Sequence, residues 1–290
     1  MTVTENPADT FNGGVVGERR LRKEDPALLT GEAKFADDLV LPGQLWMGCI
    51  RSPYAHARIT GIDTAAALEI EGVAAVYTGA DLADTWAAPL PCAWAVTEDM
   101  KSPDHLPVAV GKANHQGDIV AVVVASSRYG LADAIEAVVV DYEPLPAVID
   151  LQDAVDDTQV IYEDLGTNSS YVWELIPDPE GVEAAFAEAA HHITETYTHQ
   201  RVIAAAMEPR GVVAVPEPFG GDLTLYSSTQ IPHILKVMAS ITLGWPEQKV
   251  RVVAPAVGGG FGSKLDVYAE EILCMALAAK HGVPVRWTET

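Results

Sequence analysis

Four of the five residues from Gly258 to Gly262 are glycine, and this loop constrains the chain more than any other feature. The loop lies between a strand predicted at 249–254 and a helix predicted from Asp266 onward. Glycine allows positive φ angles and lets the backbone approach a ligand without a Cβ atom in the way. The unpaired N–H groups at the start of the following helix favour an anionic group. The sequence therefore predicts a binding loop, with a tight turn as the structural alternative.

The spacing of this loop does not fit the two common nucleotide-binding patterns. A dinucleotide fingerprint would need a third glycine where Ser263 stands. A Walker A loop needs glycine directly before Lys-Ser or Lys-Thr, whereas Ser263 precedes Lys264 and Leu265 follows it. We assign no role to Lys264 from the sequence, because an acidic protein carries many solvated lysines.

Charge and cysteine content exclude several classes of partner and site. The chain has 41 acidic and 18 basic residues, which give a formal net charge of −23. This charge repels phosphate backbones and anionic lipids, so we expect no nucleic-acid or membrane partner. The N-terminus lacks the apolar core of a secretory signal, and Cys49, Cys92 and Cys274 suggest no disulfide framework. These features predict a cytoplasmic protein.

The chain is predicted to divide into segments of different composition, namely a flexible tail (1–18), a strand-rich α/β domain (19–149), an acidic linker (150–178) and a second α/β region (179–290). In the first domain, the apolar run 119–125 predicts a strand that is buried on both faces. A helix and another apolar strand follow it, and this order predicts a βαβ unit.

The second region is predicted to alternate helices with strands. Apolar residues at helical spacing predict helices over 180–190, 231–241 and 268–279, and alternation predicts a strand at 194–198. The last predicted strand, 283–288, is followed by no turn or polar tail, so a domain ending there would expose a strand edge. We therefore expect a fragment of a larger protein or one piece of a split protein.

Several motifs, in this order along the chain, resemble the large subunit of the molybdenum hydroxylases, the family of xanthine dehydrogenase, aldehyde oxidase and aerobic carbon monoxide dehydrogenase. Residues 29–38 (LTGEAKFADD) and 51–59 (RSPYAHARI) resemble the opening of the family's hammerhead domain, and 139–148 (VVDYEPLPAV) resembles its end. Three further motifs resemble the family's molybdenum-cofactor region, namely 207–211 (MEPRG), 228–233 (STQIPH) and 250–264 (VRVVAPAVGGGFGSK).

The resemblance implies an α+β fold, in which a hammerhead-type α/β domain over 19–149 precedes the first part of a molybdopterin-binding α/β domain over 179–290. The second domain would then be truncated. The implied cofactor is a molybdenum–pterin, with molybdopterin cytosine dinucleotide as its expected form.

The resemblance also implies roles for individual residues. Gln230 would place its side-chain amide near the apical oxygen ligand of the metal, where an uncharged donor is chemically suitable. Gly259, Gly260, Phe261 and Gly262 would lie beside the cofactor, with Phe261 as a wall of the pocket. No protein ligand to the metal is expected here, and the glutamate that acts as base is expected outside this chain. Without the resemblance, Gln230 would be interpreted as an ordinary helix-start residue and Phe261 as core.

The family reaction implied is the oxidation of an aldehyde, an N-heterocycle or carbon monoxide, with water as the oxygen source. Leu265 and Asp266 follow Lys264 where xanthine-dehydrogenase-like members have a glutamate, which argues against a purine substrate. Electrons would pass to [2Fe–2S] clusters and FAD in partner subunits, since the chain has neither a cluster cysteine set nor a flavin motif.

The implied partners are therefore an iron–sulfur small subunit, an FAD medium subunit, the remainder of the large subunit and a small-molecule substrate. This piece alone is expected to be inactive. Two alternatives remain open at this stage, a stand-alone module that binds a phosphorylated ligand and an inactive truncated remnant.

The remaining polar residues are predicted to be structural. Glu208 is expected to form a buried ion pair with Arg210 rather than to act in catalysis. His56, His199 and His233 lack the spacing of metal ligands, and Cys274 is expected to be buried as a small hydrophobic residue.

Overall fold

The computed structural model describes residues 16–17, 19–92, 95–219 and 221–290, so the predicted tail at 1–18 lies almost wholly outside the described residues. The strands are β1 (Leu45–Arg51), β2 (Ala57–Asp63), β3 (Val73–Thr78), β4 (Lys112–Ala113), β5 (Ile119–Ala125), β6 (Val139–Pro144), β7 (Gly211–Pro216), β8 (Leu223–Ser227), β9 (Val250–Val253) and β10 (Val285–Thr288). The helices are α1 (Asp25–Thr30), α2 (Ala65–Leu68), α3 (Gly79–Leu82), α4 (Arg128–Ala137), α5 (Leu151–Val155), α6 (Pro179–Glu188), α7 (Pro232–Leu243) and α8 (Ala269–His281).

The described strands form a seven-stranded mixed sheet, in the order β3-β5-β1-β10-β7-β8-β9, and a three-stranded sheet, in the order β4-β2-β6. Parallel pairing joins β1 to β10 and β8 to β9, and the other neighbours are antiparallel. The large sheet therefore contains strands from both regions predicted by the sequence. The last strand is hydrogen-bonded on both sides, so the expected exposed edge at 283–288 is wrong.

All seven residues of β5 are buried, which confirms the prediction for 119–125. The predicted βαβ unit is wrong, because β5 lies in the large sheet and β6 pairs antiparallel with β2 in the small one. Burial accounts for the difference. The residues of β6 alternate between exposed and half-buried, so this strand suits a sheet with one solvated face, whereas β5 needs cover on both faces.

Helix α8 packs against β7, β8 and β10 and forms the centre of the larger core. Residues 270–278 of this helix are all buried, and the prediction that Cys274 is buried is confirmed. The predicted strand at 194–198 is wrong, since these residues have no regular structure and are exposed. Alternation suits a strand only where a partner strand is available, and none pairs with this segment among the described residues. No helix in the described ranges has both the length and the apolar character needed to cross a bilayer.

A buried arginine ties the centre of the large sheet to the chain before β1. Arg286, in β10, is 1% exposed. Its guanidinium donates to the carbonyl oxygens of Leu39 and Asp37, each at 3.1 Å, and also to the Asp37 carboxylate. It lies 4.2 Å from the ring centre of Trp46 in β1. One side chain thus joins β10, β1 and the segment between α1 and β1.

We expect replacement of Arg286 by Leu to lower the free energy of unfolding by about 2–3 kcal/mol, because hydrogen bonds of a buried charged group are lost. Arg128→Leu is the matched control, since Arg128 also contacts Asp37, at 3.1 Å, and lies 4.2 Å from the Trp46 ring, but its side chain is 55% exposed. That control should lose less than about 1 kcal/mol in urea unfolding. Equal losses in the two variants would contradict this account of the sheet.

Candidate functional site

Two neighbouring parallel strands bring the predicted site residues together. β8 ends at Ser227 and leads to Gln230, and β9 ends at Val253 and leads to the loop at 258–264. Adjacent parallel strands have their carboxyl ends at the same edge of a sheet, which is the usual place for a ligand in such sheets. The chain segments that carry the predicted residues therefore meet at one edge.

The backbone of the glycine loop has a conformation that few side chains tolerate. Gly259 and Gly262 have φ angles of +99° and +91°, and Phe261 has a φ angle of 52°. Phe261 and Asp157 are the non-glycine residues with positive φ within the described ranges. The Phe261 side chain is 78% exposed, so it does not belong to the core. Backbone strain of this kind is concentrated at functional sites.

Gln230 lies against this loop. Its backbone N–H donates to the carbonyl of Lys264 at 2.8 Å, and its side-chain Oε1 accepts from the N–H of Gly262 at 3.1 Å. Because an N–H group can only donate, this contact assigns oxygen to the side facing the loop and leaves the NH₂ group as a donor for a ligand. A Cβ atom on Gly260 would lie 2.3 Å from Oε1, so the close approach requires glycine there.

A buried ion pair holds the loop from the other side. Lys264 is 2% exposed, and its Nζ lies 2.8 Å from Oε2 of Glu208. The same carboxylate oxygen accepts from the N–H of Gly258 at 2.6 Å. The predicted pairing of Glu208 with Arg210 is wrong, and Lys264 is not a solvated lysine. The contact depends on tertiary structure, since 56 residues separate the two partners.

Arg210 instead bonds to two other carboxylates. Its Nη1 lies 3.3 Å from Glu270 and its Nη2 lies 2.8 Å from Glu289. Its guanidinium also lies 3.9 Å from the ring centre of Tyr268 and 5.1 Å from that of Trp287. Burial lowers the pKa of Arg210, but the two carboxylates outweigh burial and raise the pKa above its ordinary value. The Arg210 guanidinium is thus paired with two carboxylates, and it connects the residue after β10 to the start of α8.

A cleft of about 600 Å³ opens beside the glycine loop. Its walls come from the segment before β7, from the loop and from the start of α8, and they include Ala206, Glu208, Arg210, Phe261, Gly262, Ser263, Lys264 and Tyr268. The lining of the cleft therefore combines apolar residues with a few fixed polar groups, as small-molecule sites usually do.

Other predicted residues lie away from this loop. His56 is 3% exposed, and its Nδ1 lies 2.8 Å from the carbonyl of Pro146, which fits a structural role. His199 and His233 are exposed. The sequence reasoning missed the burial of Lys264 and the contact of Tyr268, whose hydroxyl donates to the Ser263 carbonyl at 2.6 Å. No local pattern marks either residue, because both contacts arise only when the loop folds back.

The first turn of α8 contains a buried carboxyl group with an unusual proton affinity. Glu271 accepts hydrogen bonds from Ser227 Oγ at 2.6 Å and from the N–H of Tyr268 at 3.0 Å. Burial raises the pKa of Glu271 to about 7, although these hydrogen bonds oppose the increase. The carboxyl group is therefore part of the helix cap directly after the site loop.

We expect Glu208→Gln to destabilise the protein by about 3–5 kcal/mol, because it leaves the Lys264 ammonium buried without a counter-charge. The measurement is urea unfolding monitored by circular dichroism. Glu247→Gln is the control, since the Lys236–Glu247 pair is exposed, with side-chain exposures of 32% and 54%, and should cost less than about 1 kcal/mol. The double variant Glu208→Gln, Lys264→Met should recover part of the loss. No recovery would show that the buried charge is not the cause.

The raised pKa of Glu271 predicts a pH dependence. An unfolded glutamate titrates near about 4.3, so between that pH and about 7 the folded protein holds more protons than the unfolded chain. This contribution to stability is therefore lost as the pH rises. Glu271→Gln keeps a neutral side chain, so its free energy of unfolding should increase relative to wild type, by up to about 1.4 kcal/mol per pH unit. Parallel stability–pH curves for the two proteins would contradict the assignment.

Two family models match the chain. Residues 30–146 match the aldehyde oxidase and xanthine dehydrogenase a/b hammerhead domain, and residues 162–290 match the molybdopterin cofactor-binding domain. Among curated proteins, the chain is similar to the carbon monoxide dehydrogenase large chain of Afipia carboxidovorans, with 37% identity over 94% of this chain. It is also similar to the nicotine 6-hydroxylase large subunit of Paenarthrobacter nicotinovorans, with 38% identity over 95% of this chain. The chain spans about a third of the length of these relatives, 34% and 33% respectively.

Solved structures give the same result. Quinoline 2-oxidoreductase from Pseudomonas putida 86 is similar with a TM-score of 0.85 and 36% identity, over 93% of this chain and 34% of that one. Carbon monoxide dehydrogenase from Oligotropha carboxidovorans has a TM-score of 0.84 and 36% identity, over 94% of this chain and 35% of that one. The glycine loop and Gln230 both lie within the part that matches the cofactor-binding domain. The chain belongs to the molybdenum hydroxylase large-subunit family and corresponds to the N-terminal portion of such a subunit, with a hammerhead domain and the start of the molybdenum-binding domain.

Proposed function

We propose that this chain supplies one wall of a molybdenum–pterin site in a hydroxylase that oxidises an aldehyde, an N-heterocycle or carbon monoxide. The observation that carries the proposal is the contact between Gln230 and the glycine loop, which places an uncharged amide and a bare main chain at the same sheet edge. The family membership supports the class of reaction. The geometry supports the assignment of Gln230 and the glycine loop as residues that would contact the cofactor.

The residues present fit the cofactor. Gly262 has nothing within 4 Å of the position where a Cβ atom would stand, so the main chain there faces open space. Elsewhere the loop is packed closely against the protein, since a Cβ on Gly258 would lie 2.5 Å from Glu208 and a Cβ on Gly260 would lie 2.3 Å from Gln230. A loop that is fixed on one side and bare on the other can place N–H groups against a large, electron-rich ligand.

When bound, the cofactor would supply a two-electron acceptor and a metal that activates water as the source of oxygen. The chain's own residues would bind and orient it. Gln230 would donate from its NH₂ group, the N–H groups of Gly259 and Gly260 would face the cofactor, and the Phe261 ring would exclude water from the pocket. Glu208 and Lys264 would hold the loop in place without contacting the substrate.

We further propose that the complete enzyme contains the remainder of the large subunit, an iron–sulfur subunit and an FAD subunit. The cofactor would be molybdopterin cytosine dinucleotide, and the enzyme would be cytoplasmic. The names of the relatives support this proposal, since a carbon monoxide dehydrogenase large chain and a nicotine 6-hydroxylase large subunit are each one subunit of an enzyme. Leu265 and Asp266, which follow Lys264 where xanthine-dehydrogenase-like members have a glutamate, support a substrate other than a purine.

The geometry does not favour the phosphate-binding alternative. Lys264 is the cation of the loop, but its side chain is 1% exposed and its ammonium group is paired with Glu208. A phosphate ligand would have to displace that carboxylate. The inactive-remnant alternative differs from our proposal because an inactive remnant would hold no molybdenum–pterin cofactor even when assembled with the remaining polypeptides.

The test is the molybdenum and pterin content of the chain co-expressed with the remaining polypeptides. We expect Gly262→Ala to lose most of the bound molybdenum, because a methyl group would occupy the bare side of the loop. Gly111→Ala is the matched control, since Gly111 has a φ angle of +70° and likewise has nothing within 4 Å of its Cβ position, but lies outside the loop. This control should retain the wild-type metal content.

Three outcomes would count against the proposal. Equal molybdenum content in the two glycine variants would separate the loop from the cofactor. A wild-type assembly without molybdenum would favour the inactive remnant. A phosphorylated ligand retained by the chain alone would favour the stand-alone module.

A further inference from the structure

A second group of ligand-type side chains lies in another cleft, outside the glycine loop. His105, His115 and Asp118 each present one ligand atom, and these atoms all lie within 4.8 Å of one another. The geometry points to a binding site for a divalent transition-metal ion of the zinc type at these three residues. This inference does not depend on the proposed molybdenum function.

A tight turn positions two of the three side chains. The turn precedes β5, and the Asp118 N–H donates to the His115 carbonyl at 3.2 Å. Gly117 has a φ angle of +92°, which suits glycine, and its N–H donates to the carbonyl of Ser52 at 2.9 Å. The side chains of His115 and Asp118 are thus held on the same side of an anchored turn.

The carboxylate of this group is buried and already oriented. Asp118 is 4% exposed, and its Oδ2 accepts from the N–H of Asn114 at 3.0 Å. Its backbone carbonyl accepts from the N–H of Ser52 at 2.8 Å. A charged group that is buried needs a counter-charge or a metal, and Oδ2 has one neutral donor. Oδ1 faces His105 and can serve as a ligand atom.

His105 reaches the group from a different part of the chain, the long connection between α3 and β4. Its carbonyl accepts from the N–H of Leu90 at 2.8 Å, which fixes the local backbone. The His105 and His115 rings lie 5.6 Å apart and are nearly perpendicular, at 76°. The rings are therefore not stacked face to face, and both have a nitrogen atom towards Asp118.

The distances between these atoms fit a shared ion better than direct hydrogen bonds. His105 Nε2 lies 3.6 Å from Asp118 Oδ1, and His115 Nδ1 lies 3.7 Å from Oδ2. Both separations exceed the range of a hydrogen bond, and both lie within the range of an ion pair when the imidazole is protonated. Ligand atoms about 2.0 Å from a tetrahedral zinc ion are separated by about 3.3 Å, so a small closure of the three side chains would complete the site.

Burial and charge are also compatible with a cation. The side chains of His105 and His115 are 31% and 55% exposed, so an ion could enter from the cleft. Arg51 also lines this cleft, and its Nη1 donates to the Gly117 carbonyl at 3.0 Å. Its charge is compensated by an ion pair with Glu270. Two imidazoles and one carboxylate are a ligand set that suits zinc and leaves a coordination position open to the cleft.

A bound ion would join the α3–β4 connection to the turn before β5. These segments are otherwise linked through backbone hydrogen bonds, such as that from the Ala109 N–H to the Ile119 carbonyl at 2.7 Å. The ion would therefore act as a cross-link at the edge of the cleft.

The test is calorimetric titration of the full 290-residue chain with zinc, with cobalt(II) absorption as a second measurement of the ligand set. We expect one zinc ion per wild-type chain, and an affinity reduced by about tenfold or more in His115→Ala. His115 is chosen because its exposed side chain can be removed without disturbing the core. Asp118→Asn should reduce the affinity at least as much, with circular dichroism as a check on folding.

His199→Ala is the matched control, since His199 is exposed and lies outside the cluster, and it should bind zinc as the wild type does. Zinc binding that is unchanged in His115→Ala would overturn the inference and show an adventitious surface site. Absence of zinc binding by the wild-type chain would overturn it as well. Neither outcome would affect the molybdenum proposal, since that proposal is tested through different residues.

Discussion

The ion pair between Glu208 and Lys264 is the contact on which the geometry of the candidate site depends. Lys264 has a side chain that is 1% exposed, so its charge requires a partner. Glu208 provides that partner and also accepts from the N–H of Gly258, while the Lys264 carbonyl accepts from the N–H of Gln230. These contacts connect the segment before β7, the start of α7 and the glycine loop. The bare side of the loop can face a ligand because its other side is fixed in this way.

The large sheet explains why these segments meet. β8 and β9 are parallel neighbours, so the chain leaves both strands at the same edge. β10 lies between β1 and β7, and the buried Arg286 connects it to the chain before β1. The sheet therefore combines strands from the hammerhead match and from the cofactor-binding match. A site at one edge of such a sheet is supported by packing from both parts of the chain.

Sequence patterns predicted the features that depend on local order. The buried strand at 119–125 was readable from its unbroken apolar run. The family resemblance implied that Gln230 and the glycine loop lie beside one cofactor, and in the structure Gln230 contacts the loop. The pairing of Glu208 with Lys264 was not predicted, because Glu208 was expected to pair with Arg210 and no local pattern indicates the burial of Lys264. The error at β6 has a related cause. An apolar segment after a helix indicates a strand, but only tertiary packing decides which sheet that strand joins.

Hydrogen–deuterium exchange on the assembled large subunit, with and without the molybdenum–pterin cofactor, tests the central claim most directly. The claim is that the main chain from Gly259 to Gly262 lies against the cofactor. We expect the amides of that loop to exchange more slowly in the loaded protein, while peptides from β5, which lies in the core, exchange equally in both. Loop amides that exchange at the same rate in the loaded and cofactor-free proteins would contradict the account.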